Sequence, residues 1–267
     1  MSLPDLLLTN ALMIGGLTLV LWLVSVRIKN VSIVDLFWGT GFVIIAGVSL
    51  VQSDSSTLRG WLLTVLCAMW GLRLSVYLGM RNHRQPEDYR YAEMRARRGR
   101  NFWWSSLFIV FWLQGAVMWI ISLPLQVGIS SVSDLNWLNF VGVVLWSIGF
   151  VFETVGDYQL AKFKRLKKTG SLDATVMDKG LWRYTRHPNY FGNALIWWGL
   201  TLIAMEITTL WLVISPVLMT FLLLKVSGVA MLERSLSNRS SDYRDYMVKT
   251  SSFFPLPPRA ISSGSSS

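Results

Sequence analysis

Charged residues are scarce in this sequence. Asp, Glu, Lys and Arg make up 15% of its 267 residues, whereas hydrophobic residues make up 52%, and the mean hydropathy is +0.44. A soluble domain of this length needs far more polar residues to cover its surface, so this composition argues against the ordinary soluble classes. The chain has one cysteine, Cys67. It therefore cannot form an internal disulfide, and its apolar neighbours predict a buried, inert thiol.

Several soluble signatures are also missing. The sequence contains no G-x-G-x-x-G motif between a strand and a helix and no P-loop, which argues against a Rossmann or P-loop nucleotide domain. The two histidines, His83 and His187, stand far apart without cysteine neighbours, so we predict no metal site. No ten-residue alternating pattern is present, and a membrane barrel is therefore excluded in favour of helices.

Long apolar runs fill most of the chain. A hydrocarbon core about 30 Å thick needs roughly 20 apolar residues of helix to cross it. The first run, Leu6 to Val26, follows no basic residue, and we interpret it as a retained span rather than a signal peptide. The sequence predicts an all-α integral membrane protein with seven transmembrane helices, at about 5–26, 32–52, 58–80, 103–125, 136–160, 190–206 and 208–231.

Lysine and arginine are unevenly distributed among the predicted loops. The loops 81–100 and 161–188 and the residues after the last span hold most of them, whereas 53–57, 126–135 and 206–208 hold none. With seven spans, all the basic loops fall on one side, which predicts a cytoplasmic C-terminus and an N-terminus outside. A bacterial inner membrane fits this topology. Residues 261–267 are nearly all Ser and Gly and are expected to form a flexible tail.

The formal net charge of +10 admits two interpretations. The cations are split among loops beside membrane spans, so we predict contact with membrane lipid and no nucleic-acid partner. A phosphate-rich cofactor bound at the same face is the alternative, and composition alone does not choose between them. The spans carry no strong small-x-x-x-small pattern, and a monomer is expected.

Asp35 is the first charged residue inside a predicted span. Ionisable groups are expensive in a bilayer, so each one is a candidate for function. Asp35 lies about one turn into the second span, close to Arg27 and Lys29 in sequence. It is either an interfacial acid paired with those cations or a functional acid.

Arg73 and Tyr77 lie four residues apart in the third span and therefore share a helical face, with Trp70 on the same stripe. An arginine inside the membrane needs an acidic or phosphate partner, and Asp35 is the candidate. Gln114 adds an uncharged polar group in the fourth span.

Glu153 and Asp157 lie four residues apart near the end of the fifth long span, before Lys162, Lys164 and Arg165. Two acids this close repel each other unless each finds a donor. The pair forms either a salt-bridge cluster at a helix end or a site for ribose hydroxyls or an amide.

The segment 180–193 is the densest in polar and aromatic residues. Pro188 suits the first turn of a helix, which places Arg186 and His187 just before a helix N-terminus, where anions are favoured. Asn189 and Asn193 share one face of that helix. The segment is either an anion-binding site or a juxtamembrane loop with aromatic anchors.

These patterns together resemble the bacterial DUF1295-type members of the steroid 5α-reductase family, from about residue 30 to 258. The resemblance is carried by four patterns: the stretch Gly180 to Gly192, the Glu153–Asp157–Lys164 spacing, Ser32-Ile33-Val34-Asp35 with Trp38-Gly39, and Glu233 with Thr250-Ser251. It implies reduction of the carbon–carbon double bond of a 3-oxo-4-ene steroid or a similar hydrophobic enone, with NADPH as the cofactor. It also implies one membrane domain over 1–260, with the substrate cavity formed by about 1–125 and the cofactor held by about 136–258.

The resemblance assigns roles to residues of this sequence. It implies these cofactor contacts: Glu153, Asp157, Lys164, Tyr184, Arg186, His187, Asn189, Tyr190, Asn193, Glu233 and Arg239. Asp35 matches the acid that polarises the substrate carbonyl, with Arg73 beside it. Trp70 stands where the partner tyrosine is expected, which leaves Tyr77 or Tyr91 as the substitute. Trp38, Trp70 and Gln114 are expected to line the substrate cavity.

Two other functions stay open at this point. The Arg186-His187-Pro188-Asn189-Tyr190 core is similar to one in membrane methyltransferases of the isoprenylcysteine carboxyl type, which bind S-adenosylmethionine. A transporter or lipid-binding protein is the third reading. It is disfavoured because no internal repeat is visible.

Overall fold

The computed structural model describes residues 1–53, 57–83, 85–226, 229, 233 and 241–259. Within these ranges the protein is all-α, and the β-type pairing is a single isolated bridge between Thr185 and Ser251. The predicted tail 261–267 and the end of the predicted seventh span lie outside the described residues. The α-helices are α1 Leu3–Ile28, α2 Ile33–Gln52, α3 Leu58–Asn82, α4 Tyr89–Arg98, α5 Phe102–Ser106, α6 Leu113–Ile121, α7 Leu123–Ser130, α8 Trp137–Lys168, α9 Pro188–Ala204, α10 Ile214–Phe221 and α11 Ser241–Lys249.

Shorter helical turns join some of these elements. A 3₁₀ turn over Gly99–Asn101 and a π-helical turn over Leu107–Trp112 connect α4, α5 and α6 into one run, Tyr89–Ile121. A 3₁₀ segment over Ile207–Val213 precedes α10, and a π-helical turn over Leu222–Val226 follows it. A π-helical turn inside a helix is uncommon and often marks a functional region.

The described residues include six helical segments that are long and apolar enough to cross a bilayer, so the protein is a multi-pass integral membrane protein. They are Leu3–Ile28, Ile33–Gln52, Leu58–Asn82, Tyr89–Ile121, Trp137–Lys168 and Ile207–Val226. The remaining predicted span corresponds to α9, which has 17 residues. Pro188 begins α9 and the chain leaves the helix after Ala204, so α9 is shorter than the other six.

Three segments predicted as loops are partly helical, and one of them is the beginning of 161–188, since α8 continues to Lys168. The basic loop 81–100 contains α4, which begins where Asp88 Oδ1 accepts a hydrogen bond from Arg90 N (3.0 Å). The predicted loop 126–135 begins inside α7, and every residue of α7 before Ser130 is buried. Its Gln126 donates to Ser122 Oγ (2.8 Å) and accepts from Asn10 Nδ2 (3.1 Å). Hydrogen bonds of this kind satisfy a buried amide that has no access to water.

The chain divides into two compact units. The first unit comprises Met1–Phe140 and Leu200–Ser215. In it, α2 and α3 approach most closely at Gly39 and Gly71, where a Cβ on Gly71 would lie 2.6 Å from Gly39 O. Arg59, 1% exposed, pairs with Glu206 (2.5 Å) and donates to Asp134 O (2.6 Å).

The second unit comprises Val141–Gly199 and Pro216–Ser267. Here α8 and α9 pack backbone to backbone, and a Cβ on Gly192 would lie 2.5 Å from both Glu153 N and Gly149 O. This close approach requires glycine. It brings the polar face of α8 directly against the first turns of α9.

Candidate functional site

Asp35 lies in the first turn of α2 and accepts hydrogen bonds from two residues of α4. Tyr91 donates its hydroxyl to Asp35 Oδ1 (2.7 Å), and Arg90 Nη2 donates to Asp35 Oδ2 (3.0 Å). Gln114 Nε2, from α6, donates to the Tyr91 oxygen (3.0 Å). Tyr91 is 6% exposed. The result is a hydrogen-bonded chain of polar groups, Gln114–Tyr91–Asp35, that joins α6, α4 and α2.

Residues 85–88 fasten α4 to the turn between α1 and α2. Glu87 Oε1 accepts from Val31 N (2.8 Å), and Arg95 binds both oxygens of Glu87 (2.8 and 2.9 Å). Asp88 N donates to Ser32 Oγ (2.8 Å). Burial raises the pKa of Glu87, but the hydrogen bonds from Arg95 and Val31 outweigh it and hold the pKa below its ordinary value.

Other first-unit residues from the sequence prediction lie on α2 and α3. Arg73 and Tyr77 form a cation–π contact, with 5.9 Å from the guanidinium carbon to the ring centroid. Phe42 lies between Trp38 and Trp70, at 5.3 and 5.7 Å between ring centroids. The donors to Asp35 thus come from α4, whereas the sequence prediction proposed Arg73. The sequence signal that points to α4 is Asp88, a capping residue, directly before Tyr89-Arg90-Tyr91.

Glu153 and Asp157 are both buried, at 3% and 4% exposure, and face α9. Asn193 Nδ2 donates to Glu153 Oε2 (3.4 Å), and Asn189 Nδ2 donates to Asp157 Oδ1 (3.2 Å). Each acid of the predicted pair on α8 is therefore bound by one asparagine of the predicted pair on α9. Among the described residues, the amide oxygens of Asn189 and Asn193 meet no hydrogen-bond donor, although both are buried. A buried acceptor of this kind suits a ligand that carries hydroxyl or amide donors.

Arg186 binds the C-terminal segment rather than facing solvent. Its guanidinium pairs with Glu233 (2.7 Å) and donates to the backbone oxygens of Met247 (2.8 Å) and Thr250 (2.5 Å). Its backbone N–H donates to Ser251 O (2.8 Å). The arginine therefore holds the C-terminal segment 241–259, called the tail from here on, against the loop 180–187.

Two aromatic side chains strengthen the same junction. Trp182 Nε1 donates to Gly156 O (3.1 Å) on α8, and the Tyr246 hydroxyl donates to Trp182 O. Thr185 Oγ1 donates to Phe253 O (2.8 Å). The loop is thus fixed to α8 on one side and to the tail on the other.

His187 is buried at the start of α9. Its ring stacks on Tyr190, with centroids 5.3 Å apart and planes at 8°, and its Nε2 lies 3.3 Å from Glu233 Oε1. Burial lowers the pKa of His187 below its ordinary value, and the nearby Glu233 only partly offsets this. His187 is therefore a neutral imidazole near pH 7.

Two of the three remaining residues predicted to contact the cofactor lie at the surface. Lys164 lies on an exposed turn of α8, and Tyr184 is 45% exposed beside the buried Thr185. Arg239 lies outside the described residues. No group of three or more metal-ligating side chains occurs in the part of the chain that the structure describes.

The two sites differ in the chemistry they can perform. The first-unit chain presents a phenol whose proton is donated to Asp35 and whose oxygen accepts from Gln114. A phenol that turns its proton to a nearby oxygen can stabilise negative charge there. The second-unit face presents carboxylates and amide oxygens, which recognise hydroxyl and amide donors. The first arrangement is suited to a reaction and the second to binding.

Comparison with known proteins gives a family without an assigned activity. The family model described as "Protein of unknown function (DUF1295)" matches residues 21–250. An "Uncharacterized protein C594.04c" of Schizosaccharomyces pombe is 26% identical over 269 aligned residues, which cover 88% of this chain and 76% of that protein. No solved structure matches the chain.

Proposed function

This chain belongs to the DUF1295 family, and on that premise we propose that it is a membrane reductase that uses NADPH to saturate the carbon–carbon double bond of a 3-oxo-4-ene steroid or a similar hydrophobic enone. The observation that carries the proposal is the hydrogen-bonded chain Gln114–Tyr91–Asp35. It places a buried proton donor, Tyr91, where the polar helix α4 meets the apolar helices α2 and α6, and a lipid-soluble carbonyl compound would reach it from the apolar side.

The residues of the second unit fit the proposed cofactor. A dinucleotide carries ribose hydroxyls and a carboxamide, and these donors match the buried carboxylates of Glu153 and Asp157. They also match the amide oxygens of Asn189 and Asn193, which lack donors among the described residues. Exposed cations on α8 and its following loop, including Lys164, would hold the phosphates. Arg186 is instead assigned to holding the tail.

The proposed chemistry gives the first-unit residues distinct roles. When bound, the dinucleotide supplies hydride to the β-carbon of the enone. As that bond forms, electron density moves to the carbonyl oxygen. The Tyr91 hydroxyl, which has a single proton, would turn from Asp35 and donate its hydrogen bond to that oxygen, and a proton taken up from water would complete the saturation at the α-carbon. Asp35 accepts from Arg90 and Tyr91, so we assign it to orienting the phenol rather than to donating the proton. Gln114 fixes the phenol oxygen from the other side.

The proposed topology has seven spans. α9, with 17 residues, rises about 25 Å, which is at the short end of the range for a transmembrane helix. With α9 counted, the basic segments share one side, which places the C-terminus in the cytoplasm and the N-terminus outside. We assign the protein to a bacterial inner membrane on this charge bias and on the family resemblance.

Two matched tyrosine variants test the catalytic assignment. Tyr91→Phe removes only the hydroxyl that binds Asp35 and Gln114. Tyr77→Phe removes the hydroxyl of a ring whose face contacts Arg73. With purified protein, NADPH and a panel of enone steroids, we expect Tyr91→Phe to lower kcat by about 10²-fold or more. Tyr77→Phe should stay within about threefold of the parent protein. The reverse ranking would transfer the role to Tyr77.

Cofactor binding is tested separately, without turnover. Calorimetric titration of the detergent-solubilised protein compares NADPH, NADH and S-adenosylmethionine. Glu153→Gln should weaken NADPH binding about tenfold, because a hydrogen bond to a charged group contributes about 1.5–3 kcal/mol. Glu93→Gln on the exposed face of α4 is the control and should bind as the parent does. Binding of S-adenosylmethionine alone would favour a methyltransferase and would refute the reductase.

A further inference from the structure

An apolar groove runs along the first unit between α1 and the helical run that contains α6. Its volume is about 280 Å³. The α1 wall includes Gly15 and Thr18, and the opposite wall includes Trp112, Gly115 and Trp119. The Thr18 hydroxyl donates to Ile14 O of its own helix (2.8 Å). The groove therefore offers a ligand mainly carbon surface.

Three exposed aromatic side chains lead from one end of the run toward this groove. Trp104 contacts Phe108 (6.4 Å between ring centroids), and Phe108 contacts Trp112 (5.0 Å), both edge to face. All three are between 41% and 51% exposed. These three side chains form an aromatic ladder. Its last member, Trp112, also lines the groove, so the ladder and the groove are continuous.

Cations gather at the outer end of the ladder. Trp22 of α1 stacks on Trp103 (6.2 Å), which aligns the C-terminal end of α1 with the beginning of α5. Arg27 follows on α1, and Arg98 and Arg100 precede α5. All three arginines are exposed and have no counter-ion among the described residues. We call these three arginines the positive rim, and they lie at the end of the aromatic ladder that is farther from the groove.

The distance from rim to groove matches one leaflet of a bilayer. Arg27 and Gly15 are twelve residues apart on α1, which is about 18 Å of helix. Arg100 and Trp112 are also twelve residues apart. Half of a hydrocarbon core is about 15 Å, so a chain that starts at a head group beside the arginines ends in the groove.

We propose that this surface is a binding site for one anionic phospholipid. Arg27, Arg98 and Arg100 bind the phosphate and the anionic head group. One acyl chain follows Trp104, Phe108 and Trp112 and enters the groove beside Gly15. The opposite charges select the lipid class, and the groove retains one chain more firmly than a flat helix surface does. The proposed lipid site shares no side chain with the Asp35 and Glu153 sites.

Two adjacent glycines provide a matched test of the groove. A Cβ on either Gly15 or Gly16 meets nothing within 4 Å, but only Gly15 lines the groove. Native mass spectrometry of delipidated protein titrated with phosphatidylglycerol measures bound lipid directly. Gly15→Leu should weaken binding about tenfold, as loss of roughly two methylene contacts predicts, and Gly16→Leu should not. Ala116→Leu fills the groove from the opposite wall and should reproduce the loss. Unchanged binding in both filled variants would overturn the proposal.

The head-group preference is tested with charge variants. The parent protein should bind phosphatidylglycerol more tightly than phosphatidylcholine with the same chains. Replacing the three arginines with glutamine should weaken phosphatidylglycerol binding about 100-fold, at about fivefold for each cation. The control replaces three exposed cations of the second unit that have no assigned ligand, Arg183, Arg244 and Lys249, and should keep the preference. Equal binding of both lipids by the parent protein would refute the anionic site.

Discussion

Replacing Glu87 with glutamine tests how firmly α4 is fastened to the turn between α1 and α2. Glu87 accepts three hydrogen bonds, one from Val31 N and two from Arg95. Glutamine can keep one acceptor but removes the charge that pairs with Arg95. Because α4 carries Tyr91, the change should loosen the contact between Tyr91 and Asp35 as well as lower stability.

The magnitude follows from the number and kind of bonds lost. A hydrogen bond to a charged group contributes about 1.5–3 kcal/mol, and the partial exposure of Arg95, at 37%, favours the lower end. We therefore expect Glu87→Gln to lose about 1.5–2 kcal/mol, roughly a tenfold or larger shift in the unfolding equilibrium. Glu93→Gln breaks a similar pair with Arg97 (2.6 Å), but there both side chains are more than half exposed. That control should lose about 0.5 kcal/mol.

Tryptophan fluorescence during denaturant titration in detergent measures both losses, and amide hydrogen exchange locates them. Exchange should accelerate in α4 and in the turn between α1 and α2 for Glu87→Gln, and remain unchanged elsewhere in the first unit. The folded-state pKa of Glu87 lies below the ordinary value of 4.5, so its stabilisation is present above pH 4.5 and is lost as the pH falls through the folded pKa. Equal losses for the two variants would refute the role given to residues 85–88.

Two other predictions concern buried contacts. Glu206→Gln should destabilise the protein by about 3 kcal/mol in thermal unfolding, since it leaves Arg59 buried without its counter-ion. Adding Arg59→Met should restore most of the loss, and additive losses would show that the two do not interact. Gly192→Ala should unfold at a lower temperature than the parent protein, because the added Cβ forces α8 and α9 apart. Gly47→Ala is the control and should unfold as the parent does, because its Cβ meets nothing within 4 Å. Equal unfolding temperatures for the two variants would show that the close approach at Gly192 is not required.

Most helices could be predicted from the sequence because a bilayer imposes a length and an apolar composition on each span. The helix α7 could not be predicted in this way. Its eight residues, Leu123–Ser130, are too few to register as a span. Its Gln126 is satisfied by Ser122, directly before the helix, and by Asn10, which is 116 residues earlier in the chain. A partner such as Asn10 is set by tertiary contacts, which local periodicity does not contain.

The two sites illustrate the same limit. The α8–α9 face was predictable because Glu153 and Asp157, like Asn189 and Asn193, have the spacing of one helical face, and the structure pairs them. The partner of Asp35 was not predictable in that way. Helical spacing singled out Arg73 on the next span, whereas Arg90 and Tyr91 reach Asp35 from a helix after a turn. How a chain returns after a turn depends on contacts such as Asp88 with Ser32.

The bonds between Arg186 and the tail can form only late in the synthesis of the chain. The guanidinium of Arg186 binds backbone oxygens of Met247 and Thr250, about 60 residues later in the chain. When α9 first leaves the ribosome, these oxygens have not yet been made. The loop beside Glu153 and Asp157 therefore stays unlatched until translation is nearly finished, and the second unit matures only when the last helix arrives.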